Sequence, residues 1–205
     1  MEGWFFYYLF WSSWVVLTFL IPKENPNRVA YSCFVLVSII LSNHSIKIVY
    51  WDFNLTVMFW ILCCMVALSS LTISILLYQI CTSLLVMLFY CIFLLFELYD
   101  PIWVFVDRKW LLTIMISVIA ILLNSNGKWR VITAFLGIGM GEILYAYVLY
   151  TTDILITITN PTFLDIGALI GVTILLWNGL EKVIHHLNKL YDPQTHLEKE
   201  KQRLG

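Results

Sequence analysis

A charge-free stretch of 42 residues, 55–96, constrains the fold of this chain more than any other feature. A helix needs about 20 apolar residues to cross the hydrocarbon core of a bilayer. The stretch is therefore too long for one membrane helix and has the right length for two. Small hydroxyl residues cluster at Ser69, Ser70 and Thr72 and predict the turn between the two helices. A single crossing is the alternative.

The composition of the whole chain also indicates a membrane protein. Hydrophobic residues make up 61% of the 205 residues and charged residues 12%, whereas soluble domains contain roughly 45–50% and 25%. Mean hydropathy is +0.87. These values indicate an integral membrane protein in a lipid bilayer and exclude a nucleic-acid binder, a secreted disulfide scaffold and a disordered chain. All five cysteines lie in apolar runs without a CxxC motif, which is typical of small buried hydrophobes.

Hydropathy predicts an all-α transmembrane helical bundle with about seven spans, six being the alternative. The second span either is short or continues past Ser42 toward Tyr50. Pro101 is predicted to begin the fifth span. Asn160 is predicted to cap the seventh span and Pro161 to begin it. We expect residues 1–180 to form the bundle and residues 181–205 a cytoplasmic polar helix with a charged tail. The predicted spans are 3–21, one from 29, two within 55–96, one from 101, 131–150 and 163–180.

The basic residues predict the orientation, because lysine and arginine concentrate on the cytoplasmic side of a membrane. With seven spans and the N-terminus outside, nine of the twelve lie inside, and only Lys47, Arg108 and Lys109 lie outside. The six-span arrangement places eight inside and four outside. Both arrangements put the C-terminus inside, and we expect a multi-pass protein of the plasma membrane.

Glu142 is the one charged residue that the predicted spans place near the bilayer midplane, as the twelfth of the twenty residues 131–150. A carboxylate in hydrocarbon is costly, by about 2.5–3.5 kcal/mol on insertion scales. It must therefore face the bundle interior, pair with another group or carry a proton. Glu142 is either a proton- or ion-binding site or a structural carboxyl hydrogen-bonded to a neighbouring helix.

Two pairs of glycines occur at helical spacing in the last two spans, Gly137 with Gly141 and Gly167 with Gly171. Small residues four apart let helix backbones approach closely. We expect the sixth and seventh spans to pack against each other over these faces.

Asp165 lies about one turn inside the seventh predicted helix, where the helix dipole favours a negative charge. The alternative is that Asp165, Asn160 and Glu97 line an outward-facing cavity and that Asp165 joins Glu142 as an ion site. Glu97 and Asp100 are expected either to anchor the interface, to bind a cation or to pair with Arg108 and Lys109.

Catalytic and metal-binding motifs are absent from the sequence. His185 and His186 are adjacent and so do not share a helix face, and neither HxxxH nor HExxH spacing occurs. No GxSxG, P-loop or nucleophile–base pair is present either. We predict no enzyme activity, no metal and no cofactor.

Several short segments together resemble the YphA family of small polytopic bacterial membrane proteins. They are the opening Met1-Glu2-Gly3 with its aromatic-rich span, the segment from Phe96 to Trp103, Gly141-Glu142, and Phe163-Leu164-Asp165. The resemblance covers nearly the whole chain. It implies a bacterial plasma membrane and a helical bundle, and it assigns no catalytic residues.

Two function classes follow. One is a structural or regulatory protein that contacts a membrane-protein partner, or a further copy of itself, through helix faces and the inner tail. The other is a small solute or ion carrier, or the substrate-binding membrane subunit of an importer, that uses an intramembrane carboxylate.

Overall fold

Seven α-helices and one short β-hairpin make up the described part of the chain. In the computed structural model the described residues are 3–22, 24, 26–48, 51–100, 107–152 and 161–203. The elements are α1 (Trp4–Val15) with a π-helical continuation (Val16–Leu20), α2 (Arg28–Leu41), β1 (Ser45–Ile48), β2 (Trp51–Asn54), α3 (Leu55–Leu68), α4 (Ile73–Tyr99), α5 (Arg108–Leu123), α6 (Gly127–Thr151) and α7 (Pro161–Arg203). The predicted all-α helical class is confirmed.

The charge-free stretch folds into two helices, as predicted. Helix α3 ends at Leu68 and α4 begins at Ile73, so the turn falls on the cluster of small hydroxyl residues. The Ser69 and Ser70 hydroxyls donate to the carbonyls of Val66 and Ala67, at 2.8 and 3.2 Å. These side chains satisfy backbone groups that the end of a helix leaves open.

The second helix is the short alternative, because a β-hairpin follows it. Strands β1 and β2 pair antiparallel, with Ser45 opposite Asn54. The Asn54 side chain donates to the Ser42 carbonyl at 3.0 Å and accepts from the Thr56 amide at 2.8 Å. Asn54 therefore joins the end of α2 to the start of α3. The two strands were not predicted, because a run of four residues is too short to show an alternating pattern.

The π-helical end of α1 precedes Pro22 and is contacted by Arg28. Proline has no amide hydrogen, so the last turn lacks a donor for its carbonyls. The Arg28 guanidinium supplies donors instead, to the Leu17 carbonyl at 3.0 Å and to the Thr18 carbonyl. Arg28 thereby fixes the connection between α1 and α2.

Three described helices are long and apolar enough to cross a membrane, namely Ile73–Tyr99, Gly127–Thr151 and the part of α7 from Thr162 to Lys189. The others are shorter. Helix α7 begins at the predicted Pro161 but runs unbroken past residue 180 to Arg203. The predicted opening of the fifth helix at Pro101 and the predicted cap Asn160 lie outside the described residues.

Successive helices run in alternating directions, which gives the bundle two distinct ends. Hydrogen bonds of Asp165 bring the starts of α1, α5 and α7 to one end. Those of Arg130 bring the end of α5, the start of α6 and the middle of α7 to the other. We call these the Asp165 end and the Arg130 end.

The core between the two ends is centred on Trp60 of α3. Its ring stacks on Phe10 at 6.0 Å and meets Phe135 edge-on at 4.7 Å between ring centroids. The indole N–H donates to the buried Ser38 hydroxyl at 3.0 Å. A buried Trp needs such a partner for its N–H group. Through these contacts Trp60 of α3 connects α1, α2 and α6.

The glycines lie at helix contacts, but only partly in the predicted pairing. A Cβ on Gly137 would come within 2.5 Å of Val86, and one on Gly141 within 2.7 Å of Tyr90, both on α4. The expectation that this face packs on α7 is therefore wrong. On α7, a Cβ on Gly167 would lie 2.5 Å from Trp60 of α3 and 3.6 Å from Ile138 of α6, and one on Gly171 would lie 3.2 Å from Phe135 of α6. The glycines of α7 therefore do contact α6, as predicted. A GxxxG spacing makes a flat strip and does not specify which helix covers it.

Candidate functional site

Asp165 is fully buried and joins three helices at the Asp165 end. Its Oδ1 accepts from the Phe6 amide at 2.9 Å, and its Oδ2 accepts from the Gly3 amide and from the Lys109 Nζ, each at 2.9 Å. The Gly3 amide and the Phe6 amide belong to the first turn of α1, whose N–H groups have no partner within the helix. Asp165 of α7 therefore caps α1 across the bundle.

The conformation of Gly3 fits this role. Its φ is 89°, in the left-handed region that glycine adopts without steric cost. The Lys109 side chain is 12% exposed and its Nζ lies 5.7 Å from the centre of the Phe5 ring. A buried carboxylate that accepts from a cation and two amides is fully compensated, so the geometry gives Asp165 a structural role.

Glu142 lies on α6 and is bonded to the neighbouring α4. The Tyr90 hydroxyl donates to Glu142 Oε2 at 2.7 Å, and Tyr90 itself is buried against Gly141. The close approach of α4 and α6 at this glycine puts the hydroxyl within reach of the carboxyl. The Arg108 guanidinium of α5 lies within electrostatic range of Glu142.

Glu97 and Arg108 continue this polar region to the Asp165 end. Glu97 Oε2 lies 3.6 Å from the Arg108 guanidinium, and both side chains are partly exposed. The predicted ion pair of Glu97 with Arg108 is present in the structure. Glu97 and Asp165 therefore engage different cations, and the predicted cavity partner Asn160 lies outside the described residues.

The Arg130 end holds a closed ring of three hydrogen bonds. The Gln79 amide donates to Asn124 Oδ1 at 2.8 Å, the Asn124 amide donates to the Thr133 hydroxyl at 3.1 Å, and Thr133 donates to Gln79 Oε1 at 2.7 Å. All three side chains are buried. A fully satisfied ring of this kind fixes the relative positions of α4, α5 and α6.

Arg130 extends this network to α7. Its Nε donates to the Asn124 carbonyl at 2.7 Å, and one terminal nitrogen donates to Asn178 Oδ1 at 2.9 Å and Glu181 Oε2 at 2.6 Å. Arg130 is 5% exposed, whereas the Glu181 side chain is 45% exposed. Asn178 also donates to the Gly127 carbonyl at 3.1 Å. This contact is where α7 leaves the bundle.

Sequence reasoning missed this second cluster. Asn124 and Arg130 lie before the predicted span 131–150, and Gln79 and Thr133 lie inside predicted spans without a motif. Gln79 is the most polar side chain in the charge-free stretch. This is the sequence feature from which a buried polar contact could have been predicted. Buried polar groups in a membrane helix need partners, so an amide in that stretch predicts a polar contact.

An apolar groove lies on the surface of α1, with a volume of about 470 Å³. It is open to the outside and carries no charged group. Its lining consists of Trp4, Tyr7, Tyr8, Trp11, Ser12 and Val15. Among the described residues no group of three His, Cys, Asp or Glu side chains is placed to hold a metal ion.

Comparison with known proteins identifies the family of this chain. The family model described as "YphA-like integral membrane protein" matches residues 2–203. The chain belongs to this family. It is similar to "Uncharacterized protein YphA" of Bacillus subtilis (strain 168), with 31% identity over 149 residues that cover 73% of each chain. No solved structure matches. The family resemblance expected from the short segments is thus confirmed, and the protein is an integral membrane protein.

Proposed function

We propose that the protein is a membrane-anchored docking protein, in which the helical bundle holds α7 and the projecting half of α7 binds another protein. The observation that carries the proposal is the length of α7. Its 43 residues span about 64 Å, whereas the 25 residues of α6 span about 37 Å. Helix α6 begins at the Arg130 end and runs to the Asp165 end, and α7 begins at the Asp165 end and runs back. Because α7 is the longer of the two, it extends well beyond the Arg130 end.

The side chains of this projection suit a protein surface better than lipid or water. From 179 to 189 every described side chain is exposed. Glu181, Lys182 and Lys189 do not fit the hydrocarbon core, whereas Val183 and Leu187, 57% and 58% exposed, do not fit water. A helix with both kinds of face is stabilised when a partner covers the apolar one.

The basic residues support a cytoplasmic position for the projection. Arg28, Lys128 and Arg130 share the end from which α7 emerges, and five more lysines and arginines follow within residues 182–203. By the positive-inside tendency this end faces the cytoplasm. We therefore place seven spans in a plasma membrane, with the N-terminus outside and the C-terminus inside.

Site-specific photo-crosslinking in intact cells tests the proposal. A photoreactive residue replaces Leu187, and His185, which lies on the opposite side of the helix, serves as the matched control position. We expect a discrete protein adduct from position 187 and little from 185. Adducts with lipid alone at position 187, or equal protein labelling at both, would contradict a docking role.

A second candidate function is ion or proton transport through Glu142. It is favoured by the line of polar groups from Glu142 and Tyr90 in mid-helix to Arg108 and Glu97 at the Asp165 end. Purified protein in liposomes with an internal pH dye tests it. Proton flux that Glu142→Gln removes, while Glu24→Gln leaves it unchanged, would support a carrier; flux no greater than in empty liposomes would exclude proton transport.

A further inference from the structure

The exposed part of α7 from Leu176 onward carries one set of apolar residues at alternating spacings of four and three. This spacing is the heptad pattern of helices that wind around each other in a coiled coil. We call this set of residues the seam. Its members are Leu176, Leu180, Val183 and Leu187, exposed by 65%, 58%, 57% and 58%, and the sequence continues the spacing at Leu190.

The seam points away from the bundle. Glu181 and Asn178 face α6, where they bond Arg130. Val183 is two residues beyond Glu181 and is therefore rotated by about 200° around the helix axis. A second helix can therefore contact the seam while the Arg130 contacts stay in place.

From these features we infer that the seam binds the seam of a second copy of this chain. The inference rests on the proposed docking function and names its partner. Identical seams match in register when two helices lie parallel and at the same height. Two copies anchored in one bilayer by the same bundle meet both conditions, and confinement to the bilayer raises their effective concentration.

The charges around the seam are compatible with such a pair. The heptad positions that flank the seam in the described part are Trp177, Gly179, Ile184 and His186. None carries a carboxylate or a lysine, so two copies bring no fixed like charges together across the interface. Lys182 and Lys189 lie outside the seam and its flanking positions and are exposed, whereas Glu181 is bonded to Arg130.

Disulfide formation between copies tests the inference in the full-length protein in its own membranes. Leu187→Cys and His185→Cys are compared under mild oxidation on non-reducing gels. We expect a reducible dimer band at least several-fold stronger for Leu187→Cys. The native chain, with its five cysteines in the bundle region, gives the background. Equal bands at both positions would overturn the inference.

A second measurement does not depend on cysteine chemistry. The mass of the unmodified protein in lipid nanodiscs is expected to be that of two chains, and Leu187→Glu is expected to halve it. Lys189→Glu is the matched control and should remain paired, with unchanged helical content by circular dichroism in both variants. A single-chain mass for the unmodified protein would refute the pairing.

The photo-crosslinking experiment separates this inference from the proposed function. An adduct of two copies of the chain at position 187 supports both. An adduct with a different protein retains the docking function and overturns the pairing. Adducts with lipid alone overturn both.

Discussion

The Asp165 carboxylate determines where the first helix can sit. It accepts hydrogen bonds from two backbone amides at the start of α1 and from the ammonium group of Lys109 on α5. Because these donors are buried with it, loss of the carboxylate leaves all of them without a partner. One buried pair of charges therefore ties α1, α5 and α7 together, and its loss is expected to separate α1 from the bundle.

Substitution of this carboxylate is a test of that role. We expect Asp165→Asn to destabilise the protein by about 3–5 kcal/mol, the usual cost of breaking a buried ion pair on one side. The combination with Lys109→Met should cost less than the sum of the two single substitutions, because it removes the uncompensated charge. Thermal unfolding in detergent, followed by tryptophan fluorescence, measures both.

Glu24→Gln supplies the control for this comparison, since Glu24 lies exposed in the connection between α1 and α2. Its unfolding midpoint should match that of the unmodified protein. An Asp165→Asn variant as stable as Glu24→Gln would show that the amides of α1 find other partners.

The sequence identified the important carboxylates but not their partners. Glu142 and Asp165 stand out because a charge in an apolar span is costly wherever it lies. Their partners Tyr90, Gly3 and Lys109 are 52, 162 and 56 residues away in the chain. Such pairings depend on which helices become neighbours, and a single sequence carries no signal for that.

The packing of α4 on α6 depends on glycines that leave no room for a side chain. A methyl group on Gly137 would overlap Val86, whereas Gly179 on the projecting part of α7 has nothing within 4 Å. The same glycine-to-alanine change therefore meets two opposite environments, one at a helix contact and one in open space.

Gly137→Ala should destabilise the protein by about 1–3 kcal/mol, the typical cost of overpacking. Gly179→Ala should leave the stability unchanged or raise it by up to roughly 1 kcal/mol, because alanine favours a helix. Unfolding midpoints of the two variants, measured side by side, check the contrast. Equal effects of the two substitutions would contradict the assigned contact between α4 and α6.

Helix boundaries were predictable where the chain carries local signals and were missed elsewhere. The turn after Leu68 and the start of α7 at Pro161 follow from hydroxyl residues and proline. The hairpin of β1 and β2 has only four residues in each strand, too few for a periodic pattern. The glycine pairs were recognised, but their partner helices are set by tertiary packing.

The alternating directions of the helices make the span count testable across the whole chain. The connection between α5 and α6 and the projecting part of α7 share the Arg130 end, whereas the connection between α2 and α3 lies at the Asp165 end. If every helix crosses the bilayer, sites at the Arg130 end share one side of it. The excess of lysine and arginine there predicts that this side faces the cytoplasm.

Reporter fusions at Asn126 and at the C-terminus should both give a cytoplasmic signal, and a fusion at Asn43 should give an external one. The physical reason is that the connection at Asn126 carries Lys128 and Arg130, and that five more lysines and arginines follow in residues 182–203, since such cations resist translocation. A paired reporter that is active only outside the cell serves as the matched control at every site. Opposite signals at Asn126 and the C-terminus would mean that α6 and α7 do not form two complete crossings. External signals at both would instead keep the crossings and reverse the orientation, placing the α7 seam outside the cytoplasm.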